Sequence, residues 1–331
     1  MYENLSDPAP INTEIKLYSG TGNPELSKRI ADILHLELQG LTTEKFANGE
    51  TYARFTESVR GDDVFFIQTM AGANVNDLIM ETLIVADAAK RASCRKFTAV
   101  IPHYGYARQD RKAAPREPIT ARLIANLLEA AGVDQVITVD LHQGQIQGFF
   151  NIPVTHLTGL YLLGDYFKKK DLDWSETVVV SPDMGRAKAA KKLSDYLGCE
   201  VAIAHKSRPK HNQSEVMGII GDIKDKTCIV NDDMIDTAGT LCGSVKKLKE
   251  MGAGKIYVCA THGIFTDPAI ERLQEAPIEE CVVTDVIPCA VANQPGSKIK
   301  TISIANELAE AIYSVYTNKP VSNIFGGNLN L

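Results

Sequence analysis

Short apolar runs rich in Val and Ile alternate with helix-spaced segments along nearly the whole chain, and this alternation constrains the fold more than any other feature. Candidate strands lie at 14–19, 51–55, 63–69, 96–102, 135–141, 177–182, 200–205, 227–232, 255–261, 280–287 and 299–304. Candidate helices fall between them at 24–35, 75–92, 119–131, 159–170, 185–197, 240–251, 267–275 and 304–318. In the second of these, Leu78, Ile79, Thr82, Leu83 and Ala86 recur three or four apart and form one apolar stripe, while Lys90 and Arg91 occupy its last turn, where the helix dipole favours cations. Asn23-Pro24, Asn74, Thr120 and Asp267-Pro268 supply capping or first-turn residues at helix starts. Strand and helix in alternation predict an α/β fold of mostly parallel sheets covered on both faces.

The strands are too many for one sheet, and 331 residues exceed an ordinary domain. We therefore expect two tandem units of similar size, 1–157 and 158–331, divided around Asn151-Ile152-Pro153 and Thr158-Gly159. No short repeat or low-complexity linker is evident. A 44% hydrophobic and 23% charged composition fits a soluble globular chain. The net charge of -6 argues against a dedicated nucleic-acid binder. No apolar run reaches the ~20 residues of a membrane span, and the polar stretch Met1–Pro10 does not read as a signal peptide. Cys94, Cys199, Cys228, Cys242, Cys259, Cys281 and Cys289 are scattered without a C-x-x-C, which suggests buried reduced thiols in a cytoplasmic protein rather than disulfides or zinc.

The sharpest chemical signal is Ile229-Val230-Asn231-Asp232-Asp233-Met234-Ile235-Asp236-Thr237-Ala238-Gly239-Thr240. An apolar strand runs into three carboxylates, a small-residue turn and a helix. Backbone amides and hydroxyls at such a helix start can cradle a phosphate. Carboxylates would repel that phosphate, so they suit sugar hydroxyls or Mg²⁺ instead. A capped, solvated loop is the plain alternative for a lone acid pair, but the full pattern resembles the ribose-phosphate loop of type I phosphoribosyltransferases.

Four further loops end candidate strands. The segment from Pro102 through Arg108, Gln109, Asp110, Arg111 and Lys112 to Arg116 is dense in cations that could clamp a polyphosphate; alone it could be a solvated loop or an RNA-binding patch. His142, after Val139-Asp140-Leu141, reads as a metal ligand or a polar anchor. Ser181-Pro182-Asp183-Met184-Gly185 offers a second anion pocket, and Lys206-Ser207-Arg208-Pro209-Lys210 sets cations on one edge.

Y-G-Y-A-R-Q-D-R-K, R-E-P-I-T, D-L-H-x-x-Q-I-Q-G-F-F, V-S-P-D and D-D-x-I-D-T-A-G-T together resemble the ribose-phosphate pyrophosphokinases over about residues 14–325. The resemblance implies two phosphoribosyltransferase-like domains, the last helix packing back on the first, in a homo-oligomer expected to be a hexamer. It implies transfer of a diphosphoryl group from MgATP to ribose 5-phosphate, for nucleotide, His and Trp biosynthesis. Carried over, Asp232, Asp233, Asp236, Thr237, Ala238, Gly239 and Thr240 hold ribose 5-phosphate. Arg108, Gln109 and His142 contact ATP, and Phe46, Asn48 and Glu50 reach adenine from an adjacent subunit. His142 and Asp183 position Mg²⁺, and Lys206 and Arg208 belong to the catalytic loop.

Some positions depart from the family pattern. Arg186 stands where relatives usually have Gly, Ala189 where they have Arg, and Asn48 where Asp is customary. Ala114-Pro115 and Thr69–Asn74 also differ. Two other functions follow from these departures and from the shared loop: a weakly active or inactive regulatory paralogue in a mixed oligomer, and an ordinary phosphoribosyltransferase.

Overall fold

The structure, a computed structural model, describes residues 14–207 and 216–325. The first sheet is wholly parallel, in the order β1 (Ile15–Ser19), β4 (Asp63–Ile67), β5 (Lys96–Ile101), β6 (Gln135–Val139), β7 (Val154–Leu157). Between its first two strands a hairpin of β2 (Leu41–Lys45) and β3 (Thr51–Phe55) stands apart as a two-stranded antiparallel sheet. The second sheet runs β10 (Val216–Ile220), β9 (Glu200–Ser207), β8 (Thr177–Ser181), β11 (Thr227–Ile235), β12 (Ile256–Gly263), β13 (Glu280–Thr284), β14 (Ile299–Ile302). All its pairings are parallel except β9 with β10.

The helices form because their apolar residues share one face. They are α1 (Pro24–Leu34), α2 (Val75–Arg91), α3 (Thr120–Ala131), α4 (Leu160–Lys168), α5 (Ala187–Leu197), α6 (Gly239–Glu250), α7 (Ala269–Glu275) and α8 (Ala305–Tyr316). Asn23 caps α1 as its sequence suggests, accepting from the Leu26 amide at 3.1 Å with Pro24 in the first turn. Asn74 and Thr120 make no side-chain cap, and Pro268 precedes α7 rather than opening it.

Alternating side chains of each sheet feed two cores. In the second sheet Val178, Val230 and Val258 pack with Leu241 and Val245 of α6, while Val179, Ile229 and Cys259 face Leu163 and Leu193 of α4 and α5. In the first, Phe66, Phe97 and Val136 meet α2 and α3. Its opposite face, with Leu17, Phe65, Ile67, Val100 and Ile137, is covered by Ile30 of α1 and by Leu308 and Ile312 of α8. Such buried aliphatic side chains contribute roughly 1.5–3 kcal/mol each before entropy is counted.

Polar contacts join the two sheets beside the core. The Asn23 amide donates to the carbonyls of Asp285 and Val286, and Thr69 Oγ1 donates to Val286 as well. Nearer the loops, buried His262 of β12 donates from Nε2 to the carbonyls of Val139 and Asp140. Asp140 itself takes a left-handed φ of 36°. Its carboxylate holds that unfavourable geometry by accepting from Gly159 N at 2.7 Å and Thr261 Oγ1 at 2.6 Å.

Among the described residues no helix is long and apolar enough to cross a membrane. All seven cysteines are unpaired, and four of them are buried. Met1–Pro10, for which no signal function is expected, lies outside the described residues.

Candidate active site

The second sheet reverses direction between β8 and β11. From β8 the chain continues outward to β9 on one side, then returns to β11 and proceeds to β14 on the other. The crevice beyond the carboxyl ends of two such strands is where open α/β sheets bind ligands. Asp183 follows β8 there, and the acidic loop follows β11.

The acids lie partly on the strand itself. β11 continues to Ile235, with Asp232 paired to Ala260 and Met234 to His262. The sequence placed the strand end at residue 232, because carboxylates have low strand propensity. Strand alternation then buries Asp233 and leaves Asp232 half-exposed. Past the strand, Asp236 is half-buried, Thr237 is exposed, and Ala238 takes a left-handed φ of 57° as it opens α6. Gly239 and Thr240 form the first turn, whose amides have no partner within the helix and receive no side-chain cap.

Loops from the first sheet complete the crevice. Arg108, on the long loop after β5, donates from Nη1 to Asp236 Oδ2 at 2.7 Å. His142, two residues past the Asp140 anchor, places Nδ1 2.7 Å from Asp233 Oδ2. A carboxylate partner requires the proton on Nδ1, which leaves Nε2 for another group. Asp183 Oδ1 accepts from the Arg186 amide at 3.0 Å, within the short turn Met184–Arg186. Arg108, Arg111, His142, Gln143, Asp183, Arg186 and the segment Asp232–Leu241 line one cavity of about 430 Å³.

The electrostatics of this cavity are uneven. Burial and the adjacent Asp233 push the Asp232 carboxyl up to about 7. Burial also works to raise Asp233, but the bond from His142 and the charge of Arg186 outweigh it and hold that carboxyl well below the usual range. The same bond to Asp233 raises His142 above an ordinary imidazole. One carboxylate is thus firmly ionised beside a neighbour that readily takes a proton.

Other candidates stand elsewhere. Gln109 accepts from Thr120 Oγ1 at 2.5 Å and lines an adjoining cavity of about 550 Å³, together with His103, Arg108, Met234 and Asp236. Phe46, Asn48 and Glu50 form the exposed β2–β3 turn, outside both cavities. There Asn48 Oδ1 accepts from the Glu50 amide at 3.2 Å, and Phe46 leans on Tyr52 with ring centroids 5.7 Å apart. Lys206 lies on β9 with its backbone paired to Met217, while its side chain and all of Arg208 lie outside the described residues. Arg111 and Gln143 were not singled out as site residues, although both sit in segments already marked as chemical. Among the described residues no three His, Cys, Asp or Glu side chains gather as a ready-made metal site.

Comparison with known proteins settles the family. Residues 15–132 match the N-terminal domain of ribose phosphate pyrophosphokinase, and residues 206–326 match the phosphoribosyl synthetase-associated domain. A ribose-phosphate pyrophosphokinase of Clostridium perfringens is 49% identical over 313 residues, covering 94% of this chain and 97% of the relative. The chain belongs to the ribose-phosphate pyrophosphokinase family. The family's protein from Bacillus caldolyticus is likewise 49% identical, with 98% of it covered. The crystal structure of phosphoribosylpyrophosphate synthetase from Mycobacterium smegmatis superposes with a TM-score of 0.86 at 43% identity, covering 92% of this chain and all of that one. Neither a regulatory paralogue nor a plain phosphoribosyltransferase is favoured by these pyrophosphokinase relatives.

Proposed function

We propose that this chain transfers the β,γ-diphosphoryl group of ATP to the anomeric hydroxyl of ribose 5-phosphate, giving 5-phosphoribosyl 1-pyrophosphate and AMP. The observation that carries this reading is the 2.7 Å contact between Arg108 and Asp236, which joins the cation-rich loop of one sheet to the sugar-phosphate loop of the other. A polyphosphate donor and a sugar-phosphate acceptor need that juxtaposition, and a transferase with a single phosphate substrate does not.

In this mechanism the α6 entrance, Thr237 to Thr240, binds the 5-phosphate, and Asp232, Asp233 and Asp236 accept from sugar hydroxyls. The anomeric oxygen attacks the β-phosphorus in line as the bond to the α-phosphate oxygen breaks, and AMP leaves with that oxygen. Such transfers depend on alignment and on neutralised charge rather than on covalent help. Arg108 and Gln109 hold the nucleotide, and Lys206 and Arg208 meet charge that develops in the transition state. We assign no general base.

Magnesium suits the donors present: Asp183 is an exposed carboxylate at the cavity wall, and Mg²⁺ prefers one or two carboxylates with phosphate oxygens and water. Bound there with His142 nearby, it would lower repulsion between nucleophile and polyphosphate. The units 1–157 and 158–331, with α8 folded back on the first, are the domains of this reading. The exposed turn at Phe46, Asn48 and Glu50 would serve the adenine of a neighbouring subunit, in a cytoplasmic homo-oligomer whose family precedent is a hexamer.

Purified protein given MgATP and ribose 5-phosphate should release AMP and phosphoribosyl pyrophosphate in equal amounts. Hydrolysis of ATP without the sugar product, or no turnover by folded protein that binds ATP, would defeat the proposal.

A further inference from the structure

Arg186 lines the cavity with its side chain beside two acids and hydrogen-bonded to neither. Its Nε lies 3.9 Å from Asp232 Oδ1 and 3.9 Å from Asp233 Oδ1, beyond hydrogen-bond reach of either. The side chain is about one-fifth exposed, and Nε is buried with no acceptor among the described residues. A buried donor left without an acceptor is uncommon and costly, and a guanidinium brings five donors in a rigid fork. The Arg186 amide is itself tied to Asp183 Oδ1 at 3.0 Å. Two carboxylates therefore flank this cation and leave its Nε donor without an acceptor among the described residues.

Its place along the loop indicates what takes up those donors. The phosphate cradle lies beyond Asp236, at the end of the acidic segment that Arg108 contacts. Arg186 meets the other end, at Asp232 and Asp233. A ribose 5-phosphate with its 5-phosphate in the cradle and its ring hydroxyls on the acids would turn its anomeric side away from the cradle. We infer that Arg186 is a contact for the diphosphoryl group that is delivered to that anomeric oxygen, a cation supplied from the 184–186 turn. This rests on the proposed function and adds to it a phosphate-binding residue on the 184–186 turn.

The test uses the full chain with ribose 5-phosphate saturating and inorganic pyrophosphate plus Mg²⁺ as the titrated probe, followed by calorimetry. Charge-assisted hydrogen bonds of this kind predict that Arg186→Met binds pyrophosphate about ten- to a hundredfold more weakly. Arg186→Lys should recover part of the loss, and in both variants the affinity for ribose 5-phosphate measured alone should change by clearly less than the affinity for pyrophosphate. In turnover, kcat should fall more than KM for ribose 5-phosphate rises. Unchanged pyrophosphate affinity in Arg186→Met would overturn the inference and leave Arg186 as a counter-ion for the acids. Tighter binding in Arg186→Gly would overturn it the other way, showing that the side chain crowds the pocket. A parent protein that neither turns over nor binds pyrophosphate would defeat the proposed function itself, whereas a competent parent with indifferent variants would defeat only the role of Arg186.

Discussion

Asp236 offers a perturbation whose size can be worked from the structure. Its carboxylate is engaged by Arg108 at 2.7 Å, with the arginine 58% and the aspartate 32% exposed. An ion pair this accessible is worth at most about 1 kcal/mol, so at the proposed site ribose 5-phosphate would displace it cheaply. Hydrogen bonds from sugar hydroxyls to a carboxylate return roughly 1.5–3 kcal/mol. The difference, about 0.5–2 kcal/mol, predicts that Asp236→Ala weakens ribose 5-phosphate binding roughly two- to thirtyfold. Arg108→Ala should act in the opposite direction on the same ligand, tightening it by up to about fivefold because the competing pair is gone. The same variant should weaken ATP binding. Calorimetric titration of ribose 5-phosphate into both single variants and the double variant closes the cycle. An Asp236→Ala protein that binds ribose 5-phosphate within twofold of the parent would refute the reasoning, as would an Arg108→Ala protein that loses affinity for the sugar phosphate.

Three further outcomes are expected. Lys206→Ala should lower kcat by about 10²–10³ with ATP binding nearly intact, since removal of a transition-state donor typically costs that much; unimpaired turnover would take Lys206 out of the chemistry. For Asp232, the folded carboxyl sits near 7 against an ordinary 3.8, so the folded state prefers the protonated form and stability falls as pH rises from about 4 through 7. Metal-free Asp232→Asn should therefore match the parent near pH 4 and exceed it at pH 8 by on the order of 1–2 kcal/mol in denaturant unfolding; equal stability at both pH values would contradict this. Phe46→Ala, at an exposed turn, should leave the melting temperature almost unchanged while raising KM for ATP and not for ribose 5-phosphate; an unaffected KM for ATP would remove the turn from the nucleotide site.

Much of the architecture was legible because burial on both faces writes itself as unbroken apolar runs. The runs Thr177–Ser181 and Asp63–Ile67 are buried throughout and were read as strands. β2, Leu-Thr-Thr-Glu-Lys, escaped because its hairpin stands off the main sheet and buries little. β7 is only four residues long and follows a proline, which masks it. β10 breaks the parallel rule as an edge strand, a role that periodicity does not announce. At the site, the acidic loop, His142, Asp183 and Arg108 were each visible as strand-end residues of suitable chemistry. Their meeting was not, since Arg108 and Asp236 are 128 residues apart and nothing local encodes their contact. The two carboxylates facing Arg186 were hidden for the same reason.

The placement of α8 has a bearing on inheritance as well as on folding. The chain's last long helix supplies Leu308 and Ile312 to the core of the first sheet, which is built from residues hundreds of positions earlier. Neither half is then a portable module: excised at residue 157, the first would keep α1 but lose the share of the cover over Leu17, Phe65 and Val100 that α8 supplies, and the second would carry an orphaned apolar helix. Gene fusion, circular permutation or exchange of one half for a homologue's would have to move that helix together with its distant sheet.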